Sequence, residues 1–405
     1  MSDKTIAQVD KRLCTGCGLC ALRCPRKAIT MKPDDEGFLA PVLDEALCTD
    51  CGLCLKSCPA TDVAETLIYR EPRTYLAAII KDADMLLKSS SGGVFGMVAK
   101  HYVEVLDGYV CGCVYNDKMQ AIHTVTNKWE EVSRMFGSKY VQSRAAHCFP
   151  EIKELLQADK QVLFVGTACQ VAALRLYLGD KYENLLCVEI LCHGVPSPAL
   201  FEKYVAYLEK KLGGTVLDVQ FRNKEKHGWG SEHRTCVVYE KKGRVKKYRP
   251  TLPAYFSAFF YGLNLRESCY RCRYAQSARA ADLTIGDFWG AFAKYGKFFT
   301  EGISVVGVNT ENGRALLDTL GSQLAFSEVL PEEQAVRSND NFCHSIPRPK
   351  ERDDFYKGRT KRGYRGLWKK AYFSKTYRRK TLASIYGAFV PAKIRYALHR
   401  KRRKK

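Results

Sequence analysis

One pattern constrains this 405-residue chain more than any other. The run Cys14-Thr-Gly-Cys17-Gly-Leu-Cys20-Ala-Leu-Arg-Cys24-Pro25 recurs as Cys48-Thr-Asp-Cys51-Gly-Leu-Cys54-Leu-Lys-Ser-Cys58-Pro59. Each run offers a close-spaced trio of thiols that can wrap one face of an iron–sulfur cubane. The fourth cysteine, a helical turn away and followed by proline, reaches the neighbouring cluster. The spacing assigns Cys14, Cys17, Cys20 and Cys58 to one 4Fe-4S cluster, and Cys48, Cys51, Cys54 and Cys24 to a second. Zinc also accepts four thiolates, but its motifs do not usually pair in this cross-ligating way. Two copies in one short unit imply pseudo-twofold symmetry and a ferredoxin-like domain over residues 1–65.

Compartment supports the ligand reading. The N-terminus MSDKTIAQVD lacks the apolar core of a secretory signal, and no run of about 18 apolar residues could span a bilayer. The expected location is the cytoplasm, where 18 cysteines are kept reduced and clustered ones serve as metal ligands. The formal charge of +22 first suggests a nucleic-acid binder, but Lys357–Lys405 carries 19 Lys and Arg and no Asp or Glu. The rest of the chain holds 46 basic against 43 acidic residues, so the basicity belongs to a tail.

Beyond a linker at 66–74, the expected body runs over 75–345 and the basic tail over 346–405. The apolar run TYLAAII reads as a buried strand. KQVLFVG then TACQVAALRLYLG, and NLLCVEILCHGVPSP then ALFEKYVAYLEKKLGG, read as two strand-loop-helix units of a parallel α/β sheet. VLDVQFRN, EHRTCVVYE and GRVKKYRP read as strands of a smaller β portion, YFSAFFYGLN as a helix, and DLTIGDFWG as a further strand. The fold class is therefore mixed α+β and α/β: a small ferredoxin-like domain, a larger α/β flavoprotein-type body and a tail.

Four body cysteines stand apart from ordinary core positions. Cys169 and Cys192 lie just past consecutive strands, and Cys269 and Cys272 form a CxxC. Together they can complete a third cubane, the alternative being burial as small hydrophobes. Cys111, Cys113, Cys148, Cys187, Cys236 and Cys343 read as core residues, with Cys111 and Cys113 the first exceptions to consider. SSSGGVF at Ser89–Phe95 precedes a helical stretch, where free backbone N–H groups could hold a pyrophosphate, although a helix cap is the commoner use. GSKYVQS offers a lysine and hydroxyls. Asp287 in GDFWG reads as a turn residue; His193, next to Cys192, could donate a proton, although a hydrogen bond to loop backbone is the commoner role.

Taken in order, SSGG, GSKYVQS, GTACQ, LCHGVP, the CxxC and GDFWG resemble the coenzyme F-420 hydrogenase/dehydrogenase beta-subunit family over about residues 75–330. That resemblance implies a flavoprotein holding FAD and a 4Fe-4S cluster. It places the flavin's phosphates near Ser91, Gly92 and Gly93, with Lys139 and Thr167 as further contacts. The family often has proline where this chain has Ala168, which would loosen the loop before Cys169. Fold-level likeness does not name a substrate, and coenzyme F-420 itself is disfavoured.

The resulting expectation is an iron–sulfur flavoprotein oxidoreductase. A ferredoxin or other one-electron donor would load the clusters, and FAD would reduce a two-electron substrate. The resemblance also suggests a link to surface-polysaccharide synthesis. The rival reading is an electron-transfer subunit with no substrate of its own. The tail's mixture of aromatic, apolar and basic residues suggests contact with an anionic membrane face. No nucleic-acid fold signature accompanies Trp368, Tyr372, Phe373 and Tyr377, so nucleic acid is the weakest partner.

Overall fold

The computed structural model describes residues 4–63, 74–179, 182–226, 228–229, 235–250, 254–293, 295, 301–337 and 339–357. The linker expected at 66–74, except Thr74, and the tail after Lys357 lie outside them.

The internal repeat is repeated in backbone conformation. Gly18 (φ 84°) and Gly52 (φ 73°) both turn left-handed, and each opens a short helix, Leu19–Arg23 or Leu53–Lys56, that carries the third cysteine of its run. Glycine adopts this conformation without the Cβ penalty that other residues incur. The equivalent residues Gly16 and Asp50 are left-handed as well. Strands β1 (Ile29–Pro33) and β2 (Leu39–Leu43) pair antiparallel between the two runs.

The body is built on an eight-stranded sheet. Its strands are β3 (Thr74–Ile80), β4 (Tyr109–Tyr115), β5 (Ala121–Thr126), β6 (Val162–Thr167), β7 (Leu185–Ile190), β11 (Leu283–Asp287), β12 (Ser304–Val308) and β13 (Leu324–Leu330). They lie in the order β13-β3-β12-β11-β7-β6-β4-β5. The central four, β11, β7, β6 and β4, run parallel, as the two strand-loop-helix units require. The outer strands are antiparallel, so the sheet is mixed. Alternate residues of β6 and β7 face opposite layers. Leu163 and Leu186 pack on the side of the helix Val94–Glu104, while Phe164 and Cys187 pack under the helices Phe149–Gln157 and Ala168–Leu178. A separate antiparallel sheet holds β8 (Thr215–Gln220), β9 (Cys236–Lys241) and β10 (Arg244–Tyr248).

The N-terminal unit is plugged into this body. Leu19 is fully buried in the core around Phe164, and Phe38 in the core around Phe201 and Tyr255. Burial of each side chain contributes about 1.5–3 kcal/mol. Polar contacts fix the orientation: Arg352 donates to both carboxylate oxygens of Glu36 (2.7 and 2.5 Å), and Tyr274 Oη donates to the Pro59 carbonyl (2.8 Å). Gln142 Nε2 and Arg266 Nε donate to the carbonyls of Thr15 and Cys14 (2.8 and 2.7 Å).

Candidate functional site

Electrostatic interactions sort the predicted cysteines into groups. Cys20 interacts with Cys17, Cys14 and Cys58, and Cys58 with Cys17 and Cys14, so the run-crossing member expected from the sequence sits with the first trio. Cys48, Cys51, Cys54 and Cys24 line one small cavity with Lys4, Arg26 and Asp50. In the body, Cys192 interacts with Cys269, Cys169 and Cys272, so the four cysteines picked from distant motifs converge. Neighbouring sets touch as well: Cys58 interacts with Cys54, and Cys17 with Cys169.

These sites suit thiolate ligands better than free thiols. Burial pushes Cys17 up to about 11, Cys58 to about 12, Cys169 to about 11 and Cys269 to about 12, and raises Cys20 and Cys192 as well. Against this, backbone N–H groups point at the sulfurs: Leu19 at Cys17, Ala60 at Cys58, Gly194 at Cys192, and Tyr274 and Ala275 at Cys272. Ala28 N donates to Cys24 Sγ at 3.2 Å. Such donors stabilise a charged sulfur, and a metal cluster supplies the cation that overcomes the burial cost. Among the described residues no three His, Cys, Asp or Glu side chains form a group for a single metal ion. A cubane asks for something different, since each thiolate binds its own iron.

Cys17, Cys169 and Cys192 also line a cavity of about 580 Å³ at the ends of the parallel strands β6, β7 and β11. Ser91, Gly93, Lys139 and Thr167 line it too. Gly92 stands behind the wall, its N–H given to Ser304 Oγ (2.9 Å). Lys139 Nζ is held by the carbonyls of Arg134 and Phe136 (both 2.8 Å), and burial lowers its pKa. Thr167 caps the helix Ala168–Leu178 through a capping box with Gln170. The box secures the turn at Ala168, the first helical position, where proline is favoured for the same purpose.

Two readings change. Asp287 is an ion-pair partner rather than a turn residue: it accepts from Arg222 (2.5 and 3.0 Å) and from Trp229 Nε1 (2.7 Å). His193 Nδ1 meets Asn341 Oδ1 at 3.4 Å rather than loop backbone, and its buried Nε2 has no hydrogen-bond partner among the described residues. Cys111, Cys148, Cys187 and Cys236 are buried, whereas Cys113 lines the cavity. Residues that no local motif announced include Arg222 and Asn341 on the cavity wall, Arg266 between the cysteine sets, and Lys224. The ammonium of Lys224 is bonded to the Leu86, Ser91 and Glu301 carbonyls (2.8, 2.6 and 2.8 Å), which ties down the Ser-Gly loop.

Cysteine sets of this composition define an iron–sulfur electron-transfer protein. Residues 13–61 match the 4Fe-4S dicluster domain, and residues 159–332 match the C terminus of the Coenzyme F-420 hydrogenase/dehydrogenase beta-subunit family. The chain thus carries a segment that matches a dicluster domain and, further on, a segment similar to the C terminus of that beta subunit. Among solved structures, it is similar to a chain of the F-420-reducing nickel–iron hydrogenase complex from Methanosarcina barkeri, in a xenon-derivatised crystal. That match has 17% identity and a TM-score of 0.44, covering 76% of this chain and 94% of the other. No curated protein matches. No helix among the described residues is long and apolar enough to cross a membrane.

Proposed function

We propose that the chain is a flavin-dependent iron–sulfur oxidoreductase that accepts electrons singly at the Cys24/Cys48/Cys51/Cys54 set and delivers them in pairs to an organic substrate in the cavity. The observation that carries this is the adjacency of the three cysteine sets, ending at a cavity that Cys17, Cys169 and Cys192 line. Three 4Fe-4S clusters would supply one-electron transfer and FAD the conversion to two. The residues supply the rest: Ser91 and Gly93 present small groups at a helix N-terminus, Thr167 secures the turn beside Cys169, and Phe259, Phe260 and Trp289 offer aromatic walls. Exposed Cys51, beside Leu47 and Leu53 that are each 44% exposed, suits docking of a ferredoxin or similar donor.

Anaerobic purification with iron, sulfide and flavin quantification tests the proposal. About twelve irons and one FAD per chain support it. About eight irons in fully loaded protein, unchanged by Cys269→Ala, would refute the third cluster.

Residues 357–405 bind an anionic membrane face in this reading, each basic residue contributing about 1 kcal/mol at best. Vesicle sedimentation with and without those residues decides it, equal binding to neutral vesicles counting against. A role in surface-polysaccharide synthesis would make the substrate a precursor of such polymers, which turnover assays against candidate precursors can reject.

A further inference from the structure

Arg266 is 5% exposed, yet no carboxylate pairs with it among the described residues. An unpaired buried guanidinium is costly unless another anion lies close. Its backbone belongs to the body's cysteine set: Arg266 N donates to the Val195 carbonyl (3.0 Å), and Cys269 N donates to the Arg266 carbonyl (3.0 Å). Its side chain reaches the other set, with Nη2 3.6 Å from Cys14 Sγ and Nε 2.7 Å from the Cys14 carbonyl. Gln142 Oε1 holds Nη1 at 3.1 Å, and the ring of Phe38 covers the guanidinium at 5.4 Å. The guanidinium also lies within electrostatic reach of Cys169 and Cys269. Room for it is written into the first cysteine run. A Cβ on Gly16 would stand 2.6 Å from Arg266 Nη1, and the second run has Asp50 at the matching position.

We propose that Arg266 is a potential-setting residue, its buried cation raising the reduction potential of the clusters held by the Cys14/Cys17/Cys20/Cys58 and Cys169/Cys192/Cys269/Cys272 sets. The inference rests on the cluster reading above. Reduction adds negative charge to a cluster, and both a nearby cation and a hydrogen bond to a ligating sulfur favour that state. Among the described contacts none joins the outer Cys24/Cys48/Cys51/Cys54 set to Arg266, so that set serves as an internal reference. Raising the two inner potentials relative to the outer one directs electrons toward the cavity.

The test is a redox titration of the full chain followed by electron paramagnetic resonance, with iron counted in every sample. Arg266→Gln should make reduction of an inner cluster at least tenfold less favourable, a fall of about 59 mV for one electron, and leave the outer cluster in place. Arg266→Lys, which keeps the charge but not the fork, should fall by less. Full iron loading with unmoved inner midpoints overturns the proposal. If Arg266→Gln loses iron, the lysine variant decides: full loading with a smaller fall supports tuning, and no fall refutes it. Loss of iron in both variants makes the residue a structural anchor and also overturns it. A wild-type count of about eight irons would instead defeat the third-cluster reading, leaving the Cys14-set midpoint to judge Arg266 alone.

Discussion

The two cysteine runs are nearly the same sequence, yet they meet opposite surroundings. In the first, Leu19 is fully buried against the body and Cys17 packs on the same core. In the second, the equivalent Leu53 is 44% exposed and Cys51 faces solvent. The backbone turns match, so local sequence does not make the difference. What separates them is the body, which covers one half of a symmetric unit and leaves the other open. A symmetric unit thereby gains two unlike ends, one open to solvent and one joined to the cavity.

The largest expected effect breaks the symmetry of ligand assignment. In the proposed assignment Cys58→Ala removes a ligand of the covered set and Cys24→Ala one of the open set, although each residue belongs to the opposite run. Each variant is expected to lose up to about four irons. Spectra should show the loss in the Cys14 set for Cys58→Ala and in the Cys48 set for Cys24→Ala. The reverse pattern would mean that each run ligates its own cluster and that the symmetry axis is misplaced.

A second, smaller effect tests whether the body creates the difference. Arg352 is 2% exposed and is held by Glu36, with Glu267 at 3.3 Å as a second anion. Glu36→Gln leaves the guanidinium with weaker compensation across the interface, a loss of about 3 kcal/mol at most because Glu36 itself is part-exposed. Denaturant unfolding should register it. In the cluster-free protein, thiol labelling of Cys17 and Cys20 should also accelerate more than that of Cys48 and Cys51. Equal acceleration would show that docking is not what shields the first run.

Much of this was legible in the sequence, for identifiable reasons. The Cys-Pro runs carry their ligand geometry locally, and the strand-loop-helix units beginning at Val162 and Leu185 show their period and their turns. Convergence of Cys169 and Cys192 was readable because loops at the ends of parallel strands share one rim, and Cys269 and Cys272 stood out by their CxxC spacing. The antiparallel outer strands of the sheet were not, since strand direction at an edge depends on pairing between β12, β3 and β13, hundreds of residues apart at the extreme. Asp287 and Arg266 were misread or missed for the same reason. Their partners, Arg222 and Cys14, are brought to them only by tertiary folding, and no local pattern distinguishes a paired aspartate from one in a turn.

The smallest expected effect separates the two regions by pH. All eight histidines lie outside residues 1–65, so acid titration in the histidine range acts on the body and not on the ferredoxin unit. His123 is 1% exposed on β5, where its Nε2 donates to the Val165 carbonyl (3.0 Å) and its ring stacks on Phe164. Burial lowers its pKa to about 4, from an ordinary 6.5. Between those values the unfolded chain binds more protons than the folded one, so this group's contribution is complete above about pH 6.5 and is lost as pH falls toward 4. The loss reaches about 2 kcal/mol by pH 5. His123→Gln keeps a donor for Val165 but cannot titrate. The stability difference between wild type and variant, measured by denaturant unfolding at about pH 7.5 and about pH 5, should therefore shift against the wild type on acidification. A constant difference would mean that His123 charges freely in the folded body.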